Sequence, residues 1–180
     1  MAKALPLAAM NAEGTFGENA SLMLLTRFAE MFTLSQSIHD PERVQDLHDM
    51  RIAAKRLRYT MEIFQPCFTG APAKEYKNVY EKVKSIQEQI GDIHDCDVRG
   101  PAIQQFLSDH VRRRPEIRVG LERLIEKEKQ DRDRMYTEFV AYWSTLVRKG
   151  FRARFVRLAT ALDVTEPGTQ ESVNDPDGSD

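Results

Sequence analysis

Cysteine is scarce in this chain of 180 residues. Cys67 and Cys96 are its only two, and no CxxC pair occurs. That excludes a disulfide framework and a cysteine-based zinc site, and it predicts a reducing, cytoplasmic setting. Long apolar runs are also missing. The run Leu22, Met23, Leu24, Leu25 is about as long as they get, whereas a membrane-spanning helix needs about 20 such residues, so no membrane partner is expected. Lys3 is followed by no apolar stretch of leader length, which argues against a secretory signal. There is no Gly-rich phosphate loop, no GxGxxG, no GxSxG and no HExxH, so the common nucleotide, hydrolase and zinc-protease signatures are absent. Alternating β-branched residues are missing as well, which removes the signal for strands.

What the chain has is charge, close to balanced and unevenly placed. Lys and Arg number 26 against 28 Asp and Glu, a net charge of −2. Six of the acids (Asp163, Glu166, Glu171, Asp175, Asp177 and Asp180) fall after Leu162 with no base among them. Setting aside those six with Lys3 and Glu13 leaves 25 bases and 21 acids, so residues 18–162 carry +4. We divide the chain into an N-terminal arm (1–17), a helical domain (18–162) and an acidic tail (163–180) that has little to bury.

The domain reads as all-α, an antiparallel helical bundle. Apolar residues recur at helical spacing over residues 19–37, with Leu22, Leu25, Phe28, Ala29 and Phe32 as the expected stripe. Asp40 and Pro41 predict an N-cap and first turn for a second helix running to residue 65. Pro66, Gly70 and Pro72 mark a loop, and a third helix is expected over residues 73–90. Gly91 and the pair Gly100, Pro101 predict two further breaks, with Asp92 and Asp95 as caps. A long helix is expected over 116–149, and a last segment over 151–162.

The second helix carries the main signal. Leu47, Met50, Ala54, Leu57, Met61 and Phe64 recur at three- and four-residue spacing as a core stripe. His48, Arg51, Lys55 and Arg58 recur the same way on a neighbouring arc of about 80°, with Arg56 and Tyr59 beside them. Like charges stacked at such spacing destabilise a helix by a few tenths of a kcal/mol per pair. A solvated charged face is the plain reading of such a row. Against it, this row lacks the interleaved acids of residues 116–134, and a histidine opens it. The third helix supplies an opposite wall in Lys77, Tyr80 and Lys84, diluted by Glu81 and Glu88. His94, Asp95 and Asp97 offer ligand types for a divalent metal, at no standard zinc spacing. Arg112, Arg113 and Arg114 form a basic connector, and the Arg-rich stretch 148–157 could extend a cationic track.

The segment 47–59, LHDMRIAAKRLRY, resembles the signature of the CHAD family, the conserved-histidine α-helical domain. The segment 86–98, IQEQIGDIHDCDV, is similar to that family's second block. The resemblance covers residues 19–162. It implies an all-helical fold and binding of inorganic polyphosphate along a basic surface, with the family's histidine and basic ladder on His48, Arg51, Lys55, Arg56 and Arg58. The second block falls on His94 and Asp95. Family members commonly carry two such repeats, and this chain shows one, so a homodimer is expected to complete the architecture. Some members associate with polyphosphate granules.

The leading expectation is a non-catalytic polyphosphate-binding module with no cofactor and no resident metal. Its site residues are His48, Arg51, Lys55, Arg56, Arg58, Tyr59, Lys77, Tyr80, Lys84, His94 and Arg112 to Arg114. Lysines and arginines in a line match a linear polyanion. The alternatives are a metal-dependent phosphoanhydride hydrolase or phosphohistidine protein using His48 or His94 with Asp95 and Asp97, an RNA-binding domain, and a helical protein-interaction domain. The acidic tail is a solubilising terminus, or else a transient occupant of the basic face.

Overall fold

A computed structural model describes residues 4–7, 10–110 and 115–164. The described residues are mostly helical, with no strand among them. Five α-helices follow in order: α1 (Phe16–Leu34), α2 (Val44–Phe64), α3 (Ala71–His110), α4 (Arg118–Arg148) and α5 (Phe151–Thr160). No helix among the described residues is long and apolar enough to cross a membrane. The basic connector Arg112 to Arg114 and the acidic tail beyond residue 164 lie outside the described residues.

The successive helices α1 to α4 run antiparallel, and α5 continues down α3 in the direction of α4, with Arg154 on Glu75. Phe16 at the start of α1 packs on Phe64 at the end of α2, ring centroids 4.9 Å apart. The α3–α4 pair is fixed by Asp97 with Arg132 and by Arg99 with Glu128, at 3.1 and 3.0 Å. Gly150, at φ 74°, turns the chain out of α4, and α5 lays Phe155 flat against Phe28 of α1 at 4.1 Å. The four layers α1, α2, α3 and α4/α5 enclose one core. The expected α2 stripe is buried throughout, as are Val79, Val83, Ile86 and Ile90 of α3.

The boundaries differ from the sequence reading where local signals met tertiary packing. α1 starts at Phe16 because Thr15 and Glu18 form a reciprocal capping box, with Thr15 N donating to Glu18 Oε2 at 2.7 Å. Its buried face is Ala20, Leu24, Phe28 and Met31, while Ala29 is exposed. Apolar residues surround much of this helix, so spacing alone left its inner face ambiguous. Asp40 does not cap α2. Its side chain accepts the Glu42 N–H at 3.0 Å, closing a local turn, while Arg132 takes the Pro41 carbonyl at 2.8 Å. The helix starts three residues later than the Pro41 expectation, at Val44. α3 is continuous through Gly91, Gly100 and Pro101. Proline inside a helix forfeits one backbone bond, but the ion pairs of Asp97 and Arg99 to α4, in the turn just before Pro101, hold the helix in line. Asp92 and Asp95 are therefore mid-helix residues and cap nothing.

Candidate functional site

Three contacts set the register of α2 against α3. The rings of His48 and His94 lie 4.6 Å apart. Arg51 Nε sits 3.7 Å from where a Cβ on Gly91 would be. The Tyr80 hydroxyl donates to Glu62 Oε1 at 2.7 Å. Each step forward on α2 is matched by an equal step back on α3, which is one antiparallel register. The same register sets Lys84 level with Arg58 and Gln87 level with Lys55. The seam from His48 to Glu62 is about 21 Å long at ~1.5 Å per residue. Gly91 lacks a side chain at the level where Arg51 leans on α3, so the sequence signal first read as a break is room for an arginine.

Cationic groups line this seam at graded depth. Lys55 and Tyr59 are exposed, whereas His48, Arg51, Arg58 and Lys84 are half-buried. Lys55 Nζ and Arg58 Cζ lie 5.7 and 4.9 Å from the centre of the Tyr59 ring, within cation–π range. Arg58 Nε is 3.4 Å from Glu62 Oε1, an ion-pair distance, but its N–H makes no hydrogen bond there. Lys84 stands 3.9 Å from Glu88 at the rim.

Five buried side-chain polar atoms among the described residues lack a hydrogen-bond partner in the protein, and four of them are on this seam. They are His48 Nδ1, Arg51 Nε, Arg58 Nε and Gln87 Oε1. Buried polar groups are ordinarily paired, so their collection along one line calls for an explanation. Burial holds His48 below the ordinary histidine range. The neighbouring His94 and then Arg51 push it the same way, and Asp49 opposes them.

The remaining sequence candidates separate. Arg56 points to α1, where its Nη1 is 3.7 Å from the buried Glu30. Lys77 lines a groove toward α4. His94 faces α2, while Asp97 pairs with Arg132 of α4 and Asp95 stands 3.9 Å from Arg99. Among the described residues no three His, Cys, Asp or Glu side chains gather as a metal would require. Burial raises both thiols, Cys67 and Cys96, above the ordinary cysteine range, the opposite of nucleophile activation. Sequence reasoning missed Gln87. The signal that locates it is the helix register, visible once one α2–α3 pair is known.

The family model of the CHAD domain matches residues 2–104, more than half of the chain. This protein belongs to the CHAD domain family. No curated protein and no solved structure matches it. The CHAD match takes in α1, α2 and most of α3, and so every residue of the seam.

Proposed function

We propose that this protein binds inorganic polyphosphate along the α2–α3 seam and performs no chemistry on it. Four unpartnered polar atoms along one seam, flanked by Lys55 and Lys84 at its far half, carry the reading. Arg51 and Arg58 offer free N–H groups, His48 offers a ring nitrogen, and the Gln87 amide can donate on rotation. Phosphoryl oxygens accept from all of these. Family membership supports the ligand, since CHAD domains as a class bind polyphosphate. Binding is favoured over turnover because the histidines and Asp95 and Asp97 face different helices, so no nucleophile–base–orienter set converges. RNA is disfavoured by the single exposed aromatic, Tyr59, at the seam.

The module acts in the cytoplasm, at polyphosphate granules where these occur. A homodimer would place two seams on one shared surface, the true two-fold standing in for a second repeat. The test is calorimetric titration of long-chain polyphosphate into the wild type and into Arg51→Ala/Arg58→Ala at two salt concentrations, with RNA as competitor. Salt-sensitive binding that the double variant loses supports the reading. Equal binding by both proteins overturns the seam. Light scattering of the loaded protein decides the dimer, which a binding monomer would refute.

A further inference from the structure

A second cationic groove lies on the other flank of α3. Its volume is about 760 Å³, and its walls include Lys74, Lys77 and Lys82 of α3, Lys149 at the end of α4, and the side chains of Tyr142 and Thr145. Glu81 is the acid in its lining. The nearby Glu75 is engaged by Arg154, whose Nε and Nη2 donate to its two oxygens at 2.9 Å each. Lys82 is half-buried, and its ammonium donates to the Asn78 carbonyl at 3.2 Å. Burial pushes Lys82 below the usual lysine range. The charges of Arg154 and Lys149 add to that push, and Glu75 resists it. A plainly solvated lysine face does not desolvate one of its members, and gathering like charges in a groove is costly without a counter-anion. Ammonium and hydroxyl groups together suit the oxygens of a phosphate oligomer.

We propose that this groove is a second oligophosphate-binding site, and that one long polyphosphate chain spans both sites by crossing α3 over Lys84 and Lys77. The inference rests on the polyphosphate reading of the seam. Lys77 and Lys84 share one face of α3 two turns apart and mark the crossing. From the level of Gly91 to that of Lys74 the path along α3 is about 25 Å at ~1.5 Å per residue, a span that a polymer covers and a short oligomer does not.

The experiment titrates tripolyphosphate and long-chain polyphosphate into four full-length proteins. These are the wild type, the seam variant Arg51→Ala/Arg58→Ala, the groove variant Lys74→Gln/Lys149→Gln, and the combination. Lys74 and Lys149 are exposed, so the groove variant should keep the wild-type helical signal and melting temperature. The groove variant is expected to lose one equivalent of tripolyphosphate while keeping the seam equivalent. Its long-chain affinity should fall about tenfold, and its salt slope by about 1.5 for the two lost contacts. A groove variant that matches the wild type with both ligands overturns the second site and leaves the seam intact. Loss confined to the groove variant, with the seam variant binding normally, overturns the seam and the spanning path but keeps the groove. No binding by the wild type overturns both.

Discussion

His48 on α2 and His94 on α3 face each other at 4.6 Å, their ring planes tilted by 44°. Two imidazoles this close cannot both charge without repulsion, and the half-buried position of His48 adds a desolvation cost. The pair sits at one end of a row that also holds Arg51, so the free protein favours a neutral His48. On the proposed reading a polyanion bound there reverses that preference, because its negative charge outweighs the neighbouring cations.

The stability consequence has a definite sign. A histidine with a lowered folded pKa binds its proton more readily when unfolded. Its neutral form therefore contributes full stability above the unfolded value of about 6.5, and that contribution is lost as pH falls below it. His48→Gln should leave urea stability at pH 7.5 nearly unchanged and flatten its decline between pH 6.5 and 5. Parallel declines in the two proteins would show that His48 titrates without consequence for the fold.

Binding should take up a proton. If polyphosphate raises the His48 pKa, the heat of titration near pH 7 will vary with the ionisation enthalpy of the buffer, and affinity will increase as pH falls from 8 to 6. The His48→Gln protein should show a smaller buffer dependence. A buffer-independent heat in the wild type would separate His48 from the ligand.

Much of the candidate face was legible in α2 itself. Leu47 to Phe64 bury as the helical period demands, and that fixes which arc His48, Arg51, Lys55 and Arg58 occupy. Arg56 was harder to read. It adjoins the ladder in sequence, but one residue turns a helix by 100°, which carries it round to Glu30 of α1. Gly91 and Pro101 were read as punctuation because their local cost is real. The cost is overridden by packing against α2 at Gly91 and by the ion pairs of Asp97 and Arg99 to α4 just before Pro101, neither of which has a local signature. Asp40 met the same fate, since its capping oxygen went to a tighter local turn.

Gly91 yields a prediction of two parts. A Cβ there meets Arg51 Nε at 3.7 Å, an ordinary contact. Gly91→Ala should therefore stabilise α3 by about 0.5–1 kcal/mol through helix propensity, and leave polyphosphate affinity within about twofold. Gly91→Met should keep the helix and displace the Arg51 guanidinium, weakening binding about tenfold at low salt. Denaturant melts and titrations on both variants check this. Equal affinities for Ala and Met would remove Arg51 from the contact.

The α3–α5 clasp should respond to acid. The Arg154 guanidinium, hydrogen-bonded to Glu75, holds that carboxyl below the ordinary carboxylate range. A lowered acid contributes stability above its unfolded pKa and loses it as pH falls through the folded one. The two side chains are 33% and 40% exposed, so solvent screening keeps the pair's worth to about 0.5–1 kcal/mol. Glu75→Gln should cost that much at pH 7 and close to nothing at pH 3. A cost independent of pH would assign the loss to packing.

Gly150 separates backbone strain from contact. It adopts φ 74°, its N–H donates to the Val147 carbonyl at 3.0 Å, and the chain then re-enters helix as α5. A Cβ on Gly150 would meet nothing within 4 Å. Any loss on substitution therefore comes from the left-handed conformation, which costs a non-glycine residue about 1–2 kcal/mol. Gly150→Ala should lower stability by that amount, and Gly150→Asn by less, because asparagine tolerates this region. Both variants should retain the stacking of Phe155 on Phe28, since α5 is held by its own apolar face. Thermal melts rank the three proteins in the order Gly, Asn, Ala. Equal losses for Asn and Ala would mean that the turn relaxes to an ordinary conformation and that α5, not Gly150, sets the path of the chain.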